Sequence, residues 1–253
     1  MTNSYETQTS RISCIICAYN EAPRIAAVLA VACVHPLLHE VIVVDDGSTD
    51  CTAEIVKRFT SVKLISYQEN RGKSHAMAIG VAMAQNDTLM LLDADLAGLA
   101  AEHITALATP VLSGKADVCL SLRQNSLLIF RALGLDFVSG ERVIKKEVLS
   151  GVLKEIHGLP RFGIEVFMNR QIIERSLSIE VTHWLQVTQF RKTEKLGFWK
   201  GIQAEWRMLS DLLQVAYPIV LISQTYHLLL LRANHVNAVT STDLLDQLRG
   251  NEI

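Results

Sequence analysis

The stretch "EVIVVDDGSTDCTAEIVKRF", residues 40–59, carries the pattern on which the fold turns. Val41 to Val44 form an unbroken apolar run, as expected of a strand buried on both faces of a sheet. The run stops at Asp45 and Asp46. Gly47 then permits a tight turn, Ser48, Thr49 or Asp50 can cap, and Ile55, Val56 and Phe59 recur at helical spacing. A strand, an acid-ended turn and a helix make one βα unit. Read outward, the same grammar repeats. Residues 12–17 read as a strand ending at the polar "AYNE", followed by a helix from Pro23 to about Val34. Residues 62–67 give a third strand, after which "NRGKSHAMAIGVAMA" turns at Gly72 into a helix of small residues able to pack closely on a sheet. Residues 88–92 and 117–121 give two more strands, and Pro110 breaks the helical pattern of "HITALATPVL". This alternation implies a parallel α/β sheet with ligands at the carboxyl ends of its strands.

The rhythm changes after residue 121. Residues 122–139 show no convincing strand, and "LLIFRALGLDF" reads as a helix or a lid. "GERVIKKEVLSGVL" reads as turn, strand and helix start, residues 164–177 as a helix, and "IEVTHWLQVTQF" as a strand. The expectation is one α/β domain: a mostly parallel sheet with antiparallel additions and C-terminal helices.

Composition limits the function. The 253 residues are 49% hydrophobic and 20% charged, with a formal charge of −2 and no long basic arm, so nucleic acid is not an expected partner. Cys14 and Cys17 stand three apart on a strand and face opposite sides of the sheet. They and Cys33, Cys51 and Cys119 read as reduced thiols in a cytoplasmic protein. The polar "MTNSYETQTSR" reads as a short tail. Residues 215–232 are apolar but interrupted by Pro218, Ser223, Gln224, Thr225 and His227, which suits a helix packed on the core or lying on a membrane surface better than a span.

The chemistry gathers at strand ends. "LMLLDADLAG", residues 89–98, ends in Asp93 and Asp95. Side chains two apart on a strand point the same way, so both carboxylates face one point, and their repulsion calls for a cation. A hard divalent ion, Mg²⁺ or Mn²⁺, bridging to a diphosphate is the simplest compensation. Gly72 and Lys73 would bring a backbone donor and an ammonium to the same phosphates.

"AYNE", "VIVVDDGSTD", "NRGKSHAMAIG" and "LLDADLAG", in that order and each after an apolar run, resemble the nucleotide-sugar motifs of family 2 glycosyltransferases with the A-type fold, polyprenyl-phosphate hexose synthases among them. The resemblance covers roughly residues 12–98, and "SGERVIKKEVL" extends a looser likeness to residue 149. It implies a metal-dependent transfer of a hexose from a UDP- or GDP-sugar, with inversion the first reading and retention still open because the A-type fold hosts both outcomes. Ala18, Tyr19 and Glu21 of the first turn and Asp46 would contact the base of the donor. Asp45 would be structural or near the ribose, Asp93 near the ribose and metal-bound waters, and Asp95 the direct metal ligand. After "DADL" the chain continues "AGLAAEH", unlike the His-Pro continuation of the polyprenyl-phosphate enzymes.

The acceptor side offers two chemistries, a small hydroxyl compound or a lipid phosphate. A hydroxyl needs a general base. Glu165, an acid among apolar residues at a helix start, is the first candidate, also by likeness to a Gly-x-acid segment of similar transferases, and Glu141 the second. A lipid phosphate needs only cations, for which Arg142 in "SGER" is first choice, with Lys145 and Lys146 beside it. "QFRKTEKLGFWKG", residues 189–201, resembles the family's basic segment, where a histidine often assists the metal; here Gln189 and Phe190 precede Arg191, and His183 lies six residues before Gln189. Lys192 and Lys195 would approach phosphates, and Phe198, Trp199 and Lys200 suit a bilayer surface equally. The organisation expected is a tail over 1–11, a nucleotide-sugar-binding half over 12–121, an acceptor-side half over 122–210 and a helical region over 211–253. Peripheral contact with the inner face of a membrane and homo-oligomerisation stay open. A nucleotidyltransferase and a non-catalytic nucleotide-sugar binder are the competing readings.

Overall fold

The computed structural model describes residues 11–157, 159, 163–189 and 220–232. The expectations for the N-terminal tail, for Phe190 to Gly201 and for residues 215–219 lie outside these residues. Strands β1 (Ile12–Ala18), β2 (Leu38–Asp46), β3 (Val62–Tyr67), β4 (Thr88–Asp93), β6 (Val118–Arg123), β7 (Arg142–Lys145) and β8 (Ile179–Trp184) form one sheet in the order β3-β2-β1-β4-β7-β6-β8. A separate ribbon pairs β5 (Leu96–Ala97) with β9 (Thr188–Gln189).

β1 to β4 are parallel, β6 and β8 run with them, and β7 alone runs against its neighbours. This is the α/β class expected, with one difference in placement. The segment "RVIK" leaves the chain order and inserts between β4 and β6, where its apolar Val143 and Ile144 satisfy both sheet faces.

Helices cover both faces. α1 (Ile25–Ala32), α2 (Thr52–Val56) and α4 (Ala101–Leu112) seal one side with Cys14, Ile16, Val41, Val43, Met90 and Leu92. α3 (Lys73–Met83), α6 (Glu147–Ser150), α7 (Leu153–Ile156) and α8 (Gly163–Glu174) seal the other with Ile15, Ile42, Val44, Leu89 and Leu91. α5 (Leu128–Leu133) follows β6, and helical residues 220–232 join the second core through Leu221 and Leu228. Successive strand residues therefore alternate between the two cores, as the strand period requires. Cys14 and Cys17 face opposite cores accordingly.

α4 corrects one expectation: it continues through Pro110 to Leu112. The proline sits in the last turn, where the missing N–H removes one bond near an end that frays anyway, and its carbonyl still accepts from Ala116 N at 3.0 Å. α3 lies close on β1 because Gly80 presents no Cβ to Ile15.

Candidate functional site

The carboxyl ends of β1, β2 and β4 open onto a cavity of about 490 Å³. Its lining includes Ala18, Tyr19, Glu21, Asp46, Gly72, Lys73, Asp93, Asp95 and Glu165. Four separate turns thus reach one place.

The first two turns are laced together. Asn20, at φ 57°, turns its Oδ1 to accept from Thr49 N at 2.8 Å, and its own N–H donates to Ser48 Oγ at 2.9 Å. Glu21 N donates to Thr52 Oγ1 at 2.8 Å. The turn leaves Tyr19 46% exposed beside the cavity, a flat ring free to be covered.

Asp46 holds the third turn. Its carboxylate, on a residue 3% exposed, accepts from Tyr67 Oη at 2.7 Å, Arg71 N at 2.8 Å and Gly72 N at 2.9 Å. Gly72 itself takes φ 92°, a conformation that glycine adopts without strain. Its N–H is therefore committed to Asp46 instead of standing free for a phosphate. Asp45 turns away from the cavity and accepts from Ser48 N at 3.2 Å and Ser66 Oγ at 2.9 Å, which fixes the strand end.

Lys73, the first residue of α3, reaches across the cavity floor. Its Nζ stands 2.8 Å from Asp93 Oδ1 and 2.9 Å from Glu165 Oε1. Burial pulls the lysine's pKa down, but the two carboxylates outweigh it and hold the ammonium well above the usual lysine value. Asp93 is held below the ordinary carboxylate range: burial pushes it up, and Lys73 and then Arg123 pull it further down. The cation that the sequence called for beside Asp93 is thus supplied in part by the protein itself.

Asp95 is different. β4 ends at Asp93, and Asp95 lies in the turn before β5, so strand alternation does not explain why both acids face the cavity. Asp95 acts electrostatically on Arg24 and Arg123. Among the described residues no three His, Cys, Asp or Glu side chains form a ready cage for a metal. The donor set fits a hard ion that takes one or two carboxylates from protein and the rest of its shell from phosphate and water.

Behind Asp93 lies a buried polar network that sequence reasoning did not foresee. Arg123, 8% exposed, sets its guanidinium 2.8 Å from Glu141 Oε1 and 3.9 Å from Asp93 Oδ2. Glu141 is fully buried and accepts from Ser121 Oγ and Ser139 Oγ, each at 2.8 Å. Burial raises its pKa, against the pull of Arg123. Glu141 does not line the cavity. Arg123 gave a signal that could have been read: like Asp93, it is a charge ending an apolar strand.

Arg142 also departs from expectation. It is fully buried, donates to Asn169 Oδ1 at 3.2 Å and to the Ser139 carbonyl, and stays behind the cavity wall. Because β7 is antiparallel, Lys145 and Lys146 fall at the opposite edge of the sheet, bonded to Thr88 Oγ1 and the Ala84 carbonyl. His183 is exposed on β8, and His75 packs against His157 outside the cavity.

Glu165 sits in the first turn of α8, 2% exposed. Its Oε1 meets Lys73, so it is not the solitary acid that its apolar sequence neighbours suggested. Its Oε2 is buried with no hydrogen-bond partner among the described residues. Gly140 packs directly on Asp93: a Cβ there would stand 2.6 Å from Oδ1.

Comparison with known proteins agrees with this geometry. Residues 13–132 match the family model described as glycosyl transferase family 2. A poly-beta-1,6-N-acetyl-D-glucosamine synthase of Staphylococcus epidermidis is 33% identical over 99 residues, 38% of this chain and 24% of that protein. The enzyme of the same name from Staphylococcus aureus (strain COL) is 36% identical over 88 residues, 33% of this chain and 21% of its own. The chain spans about a quarter of the length of these relatives. Among solved structures, glucosyl-3-phosphoglycerate synthase from Mycobacterium tuberculosis, in complex with Mn²⁺, UDP-glucose and phosphoglyceric acid, superposes with a TM-score of 0.63 at 21% identity, over 81% of this chain and 79% of that one. The same enzyme with Mg²⁺ and UDP gives 0.63 at 20% identity over the same shares. The strand order, the four turns converging on one cavity and the similar solved structures give the chain an A-type glycosyltransferase fold, and residues 13–132 carry its similarity to glycosyl transferase family 2.

Proposed function

We propose that this protein transfers a hexose from a UDP-sugar to a hydroxyl acceptor, with inversion, aided by Mg²⁺ or Mn²⁺. The observation that carries the reading is the convergence of Tyr19, Asp46, Asp95 and Glu165 on one cavity at the carboxyl edge of the sheet. UDP is favoured over GDP because the similar solved structures hold UDP or UDP-glucose with Mn²⁺ or Mg²⁺.

In this reading the "AYNE" turn frames the base, with the Tyr19 ring available to stack on uracil. Asp46 acts at one remove, by holding the Arg71–Gly72 turn that shapes the base side of the cavity. Asp95 would hold the divalent ion; when bound, that ion offsets the charge of the departing diphosphate. Asp93, already paired to Lys73, orients the floor beneath the sugar.

Glu165 is the general base. Its open Oε2 lacks a donor among the described residues, and a hydroxyl group is a donor that a buried carboxylate oxygen needs. That favours a hydroxyl acceptor over a lipid phosphate, which carries no proton to remove. No helix among the described residues is long and apolar enough to cross a membrane.

A donor screen tests the reading: UDP-glucose, UDP-N-acetylglucosamine and their GDP counterparts, each with and without Mn²⁺, read by nucleotide release. Metal-stimulated release of UDP from one donor is expected. Release of GDP alone would replace the nucleotide assignment, and no release from any donor would sink the transferase reading.

A further inference from the structure

The sequence motif around Lys73 suggests a phosphate ligand, yet the side chain goes elsewhere. Its Nζ bridges Asp93 Oδ1 at 2.8 Å and Glu165 Oε1 at 2.9 Å, joining the end of β4 to the first turn of α8. Those carboxylates come from residues 92 apart or 20 apart from the lysine in sequence. Among the described residues, only one oxygen of Glu165 is used. Oε2 is buried and without a hydrogen-bond partner among them, on a residue that lines the cavity.

We propose that Lys73 is the positioning residue for Glu165, pinning Oε1 by an ion pair so that Oε2 is the oxygen offered to the acceptor hydroxyl. This rests on the transferase reading above. The ammonium competes for one lone-pair region of the carboxylate and fixes its rotation, which a lone glutamate at a helix start would not do.

The proton inventory explains why two carboxylates are needed. During transfer the acceptor O–H bond breaks and its proton passes to Oε2. The acceptor oxygen bonds to the anomeric carbon, and the bond from that carbon to the diphosphate oxygen breaks, its electron pair leaving with the diphosphate. Glu165 is then neutral, and Lys73 would be stranded without a counter-ion were Asp93 not beside it. With Asp93 in contact, the lysine stays charged through the cycle.

Among the described residues, the groups that act on Glu165 include Lys73 from α3, Arg142 from β7 and Cys17 from β1, with Asp93 of β4 acting through Lys73. Arg142 is committed to Asn169 and Ser139, and the Cys17 thiol is pushed up to about 12 by burial, so it stays neutral. Lys73 is the cation in direct contact among the described residues.

The test compares wild type, Lys73→Met and Lys73→Arg, using whichever of UDP-glucose or UDP-N-acetylglucosamine the wild type turns over, with Mn²⁺ and with water as acceptor. Donor affinity is read by calorimetry and turnover by UDP release. Lys73→Met is expected to keep donor affinity within about threefold and to lose about a hundredfold in turnover, the scale of general base catalysis. Lys73→Arg should recover much of the rate. Equal losses in donor affinity and turnover would assign Lys73 to the diphosphate and overturn the proposal, as would a Lys73→Arg variant no faster than Lys73→Met. Lys73→Gln, as long as methionine and carrying a neutral donor, replaces the methionine variant if that one fails to fold. A wild type that binds donor but whose Lys73 variants behave otherwise sinks this inference alone; a wild type that binds neither donor sinks the transferase reading with it.

Discussion

Gly140→Ala perturbs the site with a single methyl group. The added Cβ would lie 2.6 Å from Asp93 Oδ1, 2.8 Å from Oδ2 and 2.9 Å from Cγ. Ordinary contact begins near 3.4 Å, so the carboxylate has to give by about 0.8 Å. Asp93 has little freedom to do so, because Lys73 holds Oδ1 at 2.8 Å and Arg123 stands 3.9 Å from Oδ2. The shift would be passed through Lys73 to Glu165. Misplacement on the order of 1 Å in a reacting site costs about a hundredfold in rate. Overpacking itself costs about 1–3 kcal/mol, a fall in Tm of a few degrees for a chain of this size. The expected result is a folded protein with secondary structure unchanged, a modest drop in Tm and UDP release reduced by one to two orders of magnitude. Turnover within threefold of wild type would refute the idea that Gly140 sets the position of Asp93.

Other perturbations report on neighbouring parts. Asp46→Asn leaves a single acceptor oxygen facing Tyr67 Oη, Arg71 N and Gly72 N, so at least one charge-assisted bond is lost, about 1.5–3 kcal/mol; thermal melts should show it and donor affinity should fall with the loosened turn. His75, whose Nδ1 meets His157 Nδ1 at 2.9 Å, is held below the ordinary histidine range by burial, then by His157 and Arg71, with Asp46 opposing. A depressed folded-state pKa contributes stability that is present above the ordinary value and lost as pH falls, so Tm should decline as pH drops through about 6.5. His75→Gln should flatten that decline, and an equal slope in the variant would remove His75 as its source.

The strands that carry the site were legible because each is a short apolar run ending in a polar turn, and strand ends of a parallel sheet are where ligands sit. Tyr19, Asp46, Lys73, Asp93 and Asp95 could be named on that ground. What could not be read was where their partners come from. β7 enters the sheet out of order, and this brings Gly140 onto Asp93 and buries Arg142, which the sequence offered as the cation facing an acceptor phosphate. The burial of Arg123 against Glu141 was hidden for a related reason: a charge in sequence is expected to meet water, and here two serines and an opposite charge replace it. Asp95 was placed correctly at the cavity by a strand argument that fails, since the strand stops two residues earlier. Pro110 was over-read as a helix breaker because its position within the helix was unknown.

The central claim is that Asp95, at the mouth of a nucleotide-sugar cavity, binds the donor through a divalent ion. Calorimetric titration of UDP-glucose or UDP-N-acetylglucosamine into wild type and Asp95→Ala, each with Mn²⁺ and with chelator, tests it most directly. Donor binding by wild type should weaken at least tenfold on chelation, and the Asp95→Ala variant should melt like wild type yet bind equally weakly with and without Mn²⁺. Donor affinity that responds to Mn²⁺ as strongly in Asp95→Ala as in wild type would contradict it.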